Sequence, residues 1–170
     1  MVELVVAVPA RCGPVRVVAV DGGAAAGKST LAAELIGRLP DCAVLHLDDL
    51  LDGWTGQFSF AERLHSQVLA PLAAGRPARY HRYDWIAGRF ADWVTMAVPD
   101  TLIVEGVSTI DACGTLASIR IFLDATRADR QQRWILRDGP PQPEWSAWLD
   151  NEDRYFAEHP LPTDTVVVRL

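Results

Sequence analysis

An α/β fold built on a mainly parallel sheet is the class this sequence predicts, and three observations predict it. Short β-branched runs alternate with stretches of helical periodicity, the pattern of right-handed strand–helix–strand crossovers. The runs are apolar with little polar alternation, as strands buried on both faces are. The four best-defined runs end in acids, at Asp21, Asp48-Asp49, Glu105 and Asp124. In such sheets ligands bind beyond the carboxyl ends of the strands.

The elements follow in order. Residues 15–20 form a short β-branched strand closed by Asp21-Gly22-Gly23. After Gly27, Leu31, Leu35 and Leu39 recur every fourth residue until Pro40 stops the pattern, which predicts a helix. Residues 43–47 read as a second strand, and residues 60–74 as a helix ended by Gly75 and Pro77. Residues 101–104 and 118–123 are the third and fourth strands. An Arg-rich helix follows over 126–137, another over 144–159, and a last strand over 165–168. Residues 1–10 fit helix or strand equally.

Composition bounds the function. A chain of 170 residues, 49% hydrophobic, predicts one domain, 1–170, with a real core. A net charge of -6 argues against a general nucleic-acid binder. No apolar run is long enough to span a membrane, and the apolar start lacks the basic residues of a signal peptide. Cys12, Cys42 and Cys113 have no metal-ligand spacing, so a reduced, cytoplasmic protein is expected. His46, His65 and His159 do not cluster and read as ordinary core or surface residues. Of 16 basic residues the only lysine is Lys28.

That lysine stands in a motif. Gly22-Gly23-Ala24-Ala25-Ala26-Gly27-Lys28-Ser29 fits the phosphate-loop pattern G-x-x-x-x-G-K-[ST] at every fixed position, between a buried strand and a helix. Small residues let backbone N–H groups wrap a phosphate, and the helix N-terminus adds a favourable dipole. Lys28 supplies charge toward the β- and γ-phosphates, and Ser29 offers a hydroxyl to Mg²⁺. The guanine-reading Asn-Lys-x-Asp element needs a second lysine, which the chain lacks. A short chain with an Arg-rich helix suits a small-molecule kinase, which must cover the phosphates and exclude water.

Four elements, in order, resemble the uridine kinase-like family of P-loop kinases and its pantothenate and nicotinamide riboside kinase relatives. They are residues 21–30 (Asp21-Gly22 through Ser29-Thr30), Leu47-Asp48-Asp49-Leu50, Tyr83-Asp84-Trp85 and Ile103-Val104-Glu105-Gly106, with the arginine helix following. The resemblance runs from about Val15 to Val168. It implies a three-layer P-loop NTPase fold with a five-stranded parallel sheet, flanking helices and an Arg-rich lid over about 126–140. It also implies ATP and Mg²⁺ as cofactors, residues 22–30 around the phosphates, and Asp48 as the base for an acceptor hydroxyl. Glu105 would hold Mg²⁺ beside Ser29. Asp49, Tyr83, Asp84, Trp85 and Arg89 would lie along the acceptor pocket.

Arg127, Arg130, Arg133 and Arg137, spaced 3, 3 and 4 apart, share one helical face. A row of cations calls for an anion opposite, and ATP phosphates would supply it. Arg130 and Arg133 are the candidates for transition-state charge, and Arg137 for nucleotide binding.

Two departures bear on the acceptor. After Asp52 no acid follows until Glu62, where uridine kinases carry an Asp that grips the ribose diol. Gly88 lies near the place of the family's histidine after the Tyr-Asp-Phe element. The expectation is an ATP/Mg²⁺-dependent kinase of a small hydroxylated metabolite, nucleoside or related riboside, acting as monomer or homodimer without membrane or nucleic-acid partners. The alternatives are a kinase of a sugar, a pantothenate-like compound or an antibiotic, and a non-catalytic ATP sensor.

Overall fold

The structure is a computed structural model that describes residues 1–140 and 143–170. Its centre is a five-stranded, all-parallel sheet in the order β2-β5-β1-β6-β7. The strands are β1 (Arg16–Asp21), β2 (Cys42–His46), β5 (Thr101–Glu105), β6 (Ala117–Asp124) and β7 (Val166–Arg169). These are the five runs read from the sequence, shifted by a residue or so at their ends. The fold class is therefore α/β with the parallel sheet that the alternation predicts.

Two cores sit on opposite faces of this sheet, because side chains alternate along a strand. Val17 and Ala19 of β1 join Leu102 and Val104 of β5 on one face. Val18 and Val20 join Ile103, Ile121 and Leu123 on the other. The second face is covered by α1 (Val2–Ala7) through Val5, and by α2 (Lys28–Ile36) through Ala32 and Leu35. The undecided first ten residues thus contain a helix. Helix α2 ends at Ile36 with Gly37 as its C-cap, a turn before Pro40.

On the first face lie residues 61–73, α5 (Thr109–Cys113), α6 (Arg127–Asp138) and α7 (Pro143–Glu158). Residues 61–73 are not one regular helix. They run as α3 (Ala61–Arg63), a π-helical stretch Leu64–Leu69 and α4 (Ala70–Ala73). Pro71 has no N–H to give, and a wider turn beside it accommodates that loss. Helix α6 begins where its sequence says, since Thr126 accepts a hydrogen bond from the Asp129 N–H as N-cap.

One element went unread: an antiparallel hairpin of β3 (Ala78–Asp84) and β4 (Arg89–Met96), outside the main sheet. All three cysteines are free, with Cys12 and Cys113 buried. Among the described residues no helix is long and apolar enough to cross a membrane.

Candidate functional site

Sheet register assembles the site. Val20 of β1 pairs with Glu105 of β5, and Glu105 pairs with His46 of β2. Three strand ends therefore lie side by side at their carboxyl edge, where an open α/β sheet leaves a crevice. From β1 comes the loop 22–29, and from β2 the turn carrying Asp48 and Asp49 (Leu47–Leu50). From β5 comes Glu105, followed by Gly106, whose N–H donates to the Val20 carbonyl. A cleft of about 520 Å³ opens over this edge.

The phosphate loop has the shape its residues predict. Gly27 (φ 99°) and Ala25 (φ 59°) turn through left-handed backbone, and α2 starts at Lys28. Among the described residues the N–H groups of Ala25, Gly27, Lys28 and Ser29 have no protein acceptor. Such a row of free N–H groups is an anion-binding nest. Lys28 Nζ donates to the carbonyls of Gly22 and Gly23, at 2.9 Å each, which holds the ammonium across the mouth of the loop.

Ser29 Oγ donates to Glu105 Oε1 at 2.9 Å. The same oxygen lies 2.5 Å from His46 Nδ1. Burial pushes the Glu105 carboxyl up, but the His46 hydrogen bond, Lys28 and Ser29 outweigh it and leave Glu105 below its usual range. His46 is raised in turn, chiefly by its bond to Glu105. A hydroxyl beside an ionised carboxylate is a hard-oxygen set that fits Mg²⁺, an ion that keeps waters and substrate oxygens for its other positions. His46, read as an ordinary residue, is the partner that fixes Glu105.

Asp48 lines the cleft and keeps part of its surface open to solvent. Desolvation by the surrounding cleft walls raises its carboxyl above the usual range, and Lys28 pulls the other way. Arg133, Arg137 and Thr30 also line the cleft. Arg137 holds Asp138 in a bidentate pair at 2.7 and 2.8 Å.

The other arginines part from their expected row. Arg127 pairs with Asp150 and Asp153, 2.7 and 2.5 Å away on α7. Arg130 is buried, not free to meet a nucleotide as a lid arginine: its Nη1 lies 2.7 Å from Glu152 Oε2. The sequence row is correct as a helical face, but α7 supplies the anions for half of it.

The acceptor side also differs from expectation. Of Asp49, Tyr83, Asp84, Trp85 and Arg89, only Trp85 lines the cleft. Asp84 sits in the hairpin turn, where its Oδ1 accepts from the Ile86 and Ala87 N–H groups at 2.9 Å. Arg89 is its register partner at the start of β4. Asp49 faces the Tyr80 hydroxyl at 3.5 Å, and Tyr83 packs edge-on beneath Trp85. Trp85 Nε1 donates to the Asp48 carbonyl at 3.1 Å, so the hairpin tip is fastened to the turn that carries Asp48. Trp54, Trp134 and Trp148 complete an indole wall, with Trp54 edge-on to both Trp85 and Trp148 at 5.5 Å.

Glu152 also belongs to the site, though no motif in the sequence marks it. It lies on the buried stripe of α7 with Trp145, Trp148 and Leu149. An acid in step with that apolar stripe was the available signal.

No protein-family model and no curated protein matches this sequence. Solved structures do match. One, described as a possible uridine kinase from Bacillus stearothermophilus, superposes with a TM-score of 0.70 at 23% identity, covering 98% of this chain and 94% of its own. Another, a provisionally assigned fructose transport system kinase from Silicibacter sp., gives 0.58 at 18% identity, covering 90% and 89%. The chain shares their P-loop kinase-like fold.

Proposed function

We propose that this chain is an ATP- and Mg²⁺-dependent phosphotransferase that moves a γ-phosphate to a hydroxyl of a small metabolite, nucleoside-like or a related riboside. One observation carries the reading: a complete phosphate loop, the Ser29–Glu105 pair and the carboxylate of Asp48 open into the same cleft. Nucleotide binding alone has no use for a carboxylate at Asp48.

The roles follow from chemistry. The free N–H groups of Ala25, Gly27, Lys28 and Ser29 bind phosphate oxygens, and Lys28, Arg133 and Arg137 add positive charge where it develops on transfer. Ser29 and Glu105 would hold Mg²⁺, which supplies charge neutralisation of the phosphates when bound. Asp48 orients the acceptor hydroxyl and takes its proton. Its raised affinity for a proton suits that task better than an ordinary surface carboxylate would. The indoles of Trp54, Trp85 and Trp148 exclude water from the transferring group.

The test is ATP consumption with Mg²⁺ against a panel of nucleosides, ribosides, sugars and pantothenate. We expect stimulation by one acceptor class, and Asp48→Asn to cut its turnover by a factor of about 10² or more. Equal turnover in the two proteins would remove Asp48 as the base. A second reading, an acceptor without a ribose, draws on one observation. Asp49, Asp84 and Arg89, the polar groups expected along the acceptor pocket, are absent from the cleft lining, which is indole-rich there. The sugars and pantothenate in the panel separate the two.

A further inference from the structure

A carboxylate removed from water must be paired and hydrogen-bonded. Glu152 is wholly buried, and its partners come from three elements. The Ala24 N–H of the phosphate loop donates to both its oxygens, at 2.9 and 3.1 Å. Trp148 Nε1, one turn earlier on α7, donates at 2.7 Å, and Arg130 Nη1 of α6 does so at 2.7 Å.

We infer that Glu152 is a positioning residue: with Arg130 it clamps the phosphate loop to helices α6 and α7, so that the loop keeps its phosphate-binding shape only while the clamp is closed. The consequence for catalysis rests on the phosphotransferase reading; the clamp itself does not.

Two further observations support it. Gly23 stands at a place the phosphate-loop pattern leaves open to any residue. Here a β-carbon at Gly23 would fall 2.1 Å from Arg130 Nη1, because the guanidinium lies against the loop. Trp148, whose indole bonds Glu152, is also a wall of the cleft, so one helical turn fixes the loop and shapes the site. The competing idea is that Glu152 plugs the loop and is expelled by ATP. Expulsion would leave the buried Arg130 guanidinium with only its 3.4 Å contact to Asp153, and would deprive the Trp148 indole N–H of its acceptor in the cleft wall.

The experiment uses the full chain and four variants: E152Q, which keeps the shape and removes the charge; E152D, which keeps the charge and withdraws it by one methylene; R130Q; and the E152Q/R130Q double variant. Hydrogen exchange at the Ala24 amide is followed by NMR without nucleotide, and ATP affinity by calorimetry. E152Q is expected to speed Ala24 exchange and weaken ATP binding about tenfold or more, the scale of a lost charge-assisted hydrogen bond. The double variant should be no worse than the poorer single one, since both break one unit. In turnover, KM for ATP should rise more than KM for the acceptor, a selectivity that general loosening would not produce. If E152Q fails to fold, E152D carries the same measurements, with faster Ala24 exchange expected. Unchanged Ala24 exchange overturns the clamp, and tighter ATP binding by E152Q overturns it in favour of the plug. A wild-type protein that binds no ATP, yet whose Ala24 amide depends on Glu152, would end the phosphotransferase reading and leave the clamp standing.

Discussion

Gly23 and Gly37 are both glycines, and their surroundings assign them opposite sensitivities. Gly37 caps α2 in right-handed backbone, with nothing nearer than 3.6 Å to an added β-carbon. Gly37→Ala is expected to leave stability unchanged or raise it by less than about 1 kcal/mol. Gly23→Ala must displace Arg130, which its ion pair with Glu152 holds in place. It is expected to cost about 1–3 kcal/mol, the usual scale of overpacking. Parallel thermal unfolding of the two variants checks this, and equal melting temperatures would refute it. The residues legible in sequence were those whose chemistry is local. Lys28, Ser29, Asp48 and Glu105 each stand at a fixed offset from a strand end, and the structure brings all four to one cleft. His46 and Glu152 were not legible, because each acquires its meaning from a partner 59 or 128 residues away.

At the scale of elements, the hairpin is the piece that carries the most unread information. Its strands alternate as strands do, and Gly88 marks its turn with a φ of 64°. Yet a hairpin away from the main sheet leaves no trace in the strand–helix rhythm that organised the sequence reading. Its tip delivers Trp85 to the Asp48 carbonyl, which under the proposed function is the acceptor side of the cleft. Trp85→Ala is therefore expected to raise KM for the acceptor several-fold with little change in KM for ATP, since losing this contact frees the turn but not the phosphate loop. Steady-state kinetics with each substrate varied in turn would show it. An equal rise in both values would mean the hairpin supports the whole site. The arginine helix shows the complementary limit: its face was readable, but only the packing of α7 decides that Arg127 and Arg130 answer to acids on that helix, while Arg133 and Arg137, the latter with its neighbour Asp138, line the cleft.

For the whole molecule, Asp21 couples stability to pH. Its carboxyl is pushed from 3.8 up to about 6 by burial, which the N–H groups of Ile110, Gly22 and Ser108 and the charge of Lys28 only partly offset. The folded state thus binds this proton more tightly than the unfolded chain does. The stabilisation is whole below about pH 4, fades as pH rises through about 6, and amounts to about 3 kcal/mol. Urea titrations from pH 3.5 to 7.5 should show Asp21→Asn removing up to about 1.4 kcal/mol per pH unit of that slope. The variant should also be less stable at every pH, because its amide N–H₂ would confront a backbone donor now bound to Asp21. An identical slope in both proteins would place the pH response elsewhere. The sheet that makes this burial possible was the most legible feature of all, since five apolar runs and their crossovers permit few arrangements.

The indole wall has a practical consequence. Of six tryptophans in the chain, four line this cleft, and Trp145 packs tilted against Trp134 at 4.4 Å. Only Trp93, on the hairpin beside His81 and Arg79, stands apart. Most of the protein's indoles therefore lie at the surface a substrate would touch. A molecule entering the cleft is expected to change the tryptophan emission, so binding of unlabelled compounds can be followed on the chain's own fluorophores.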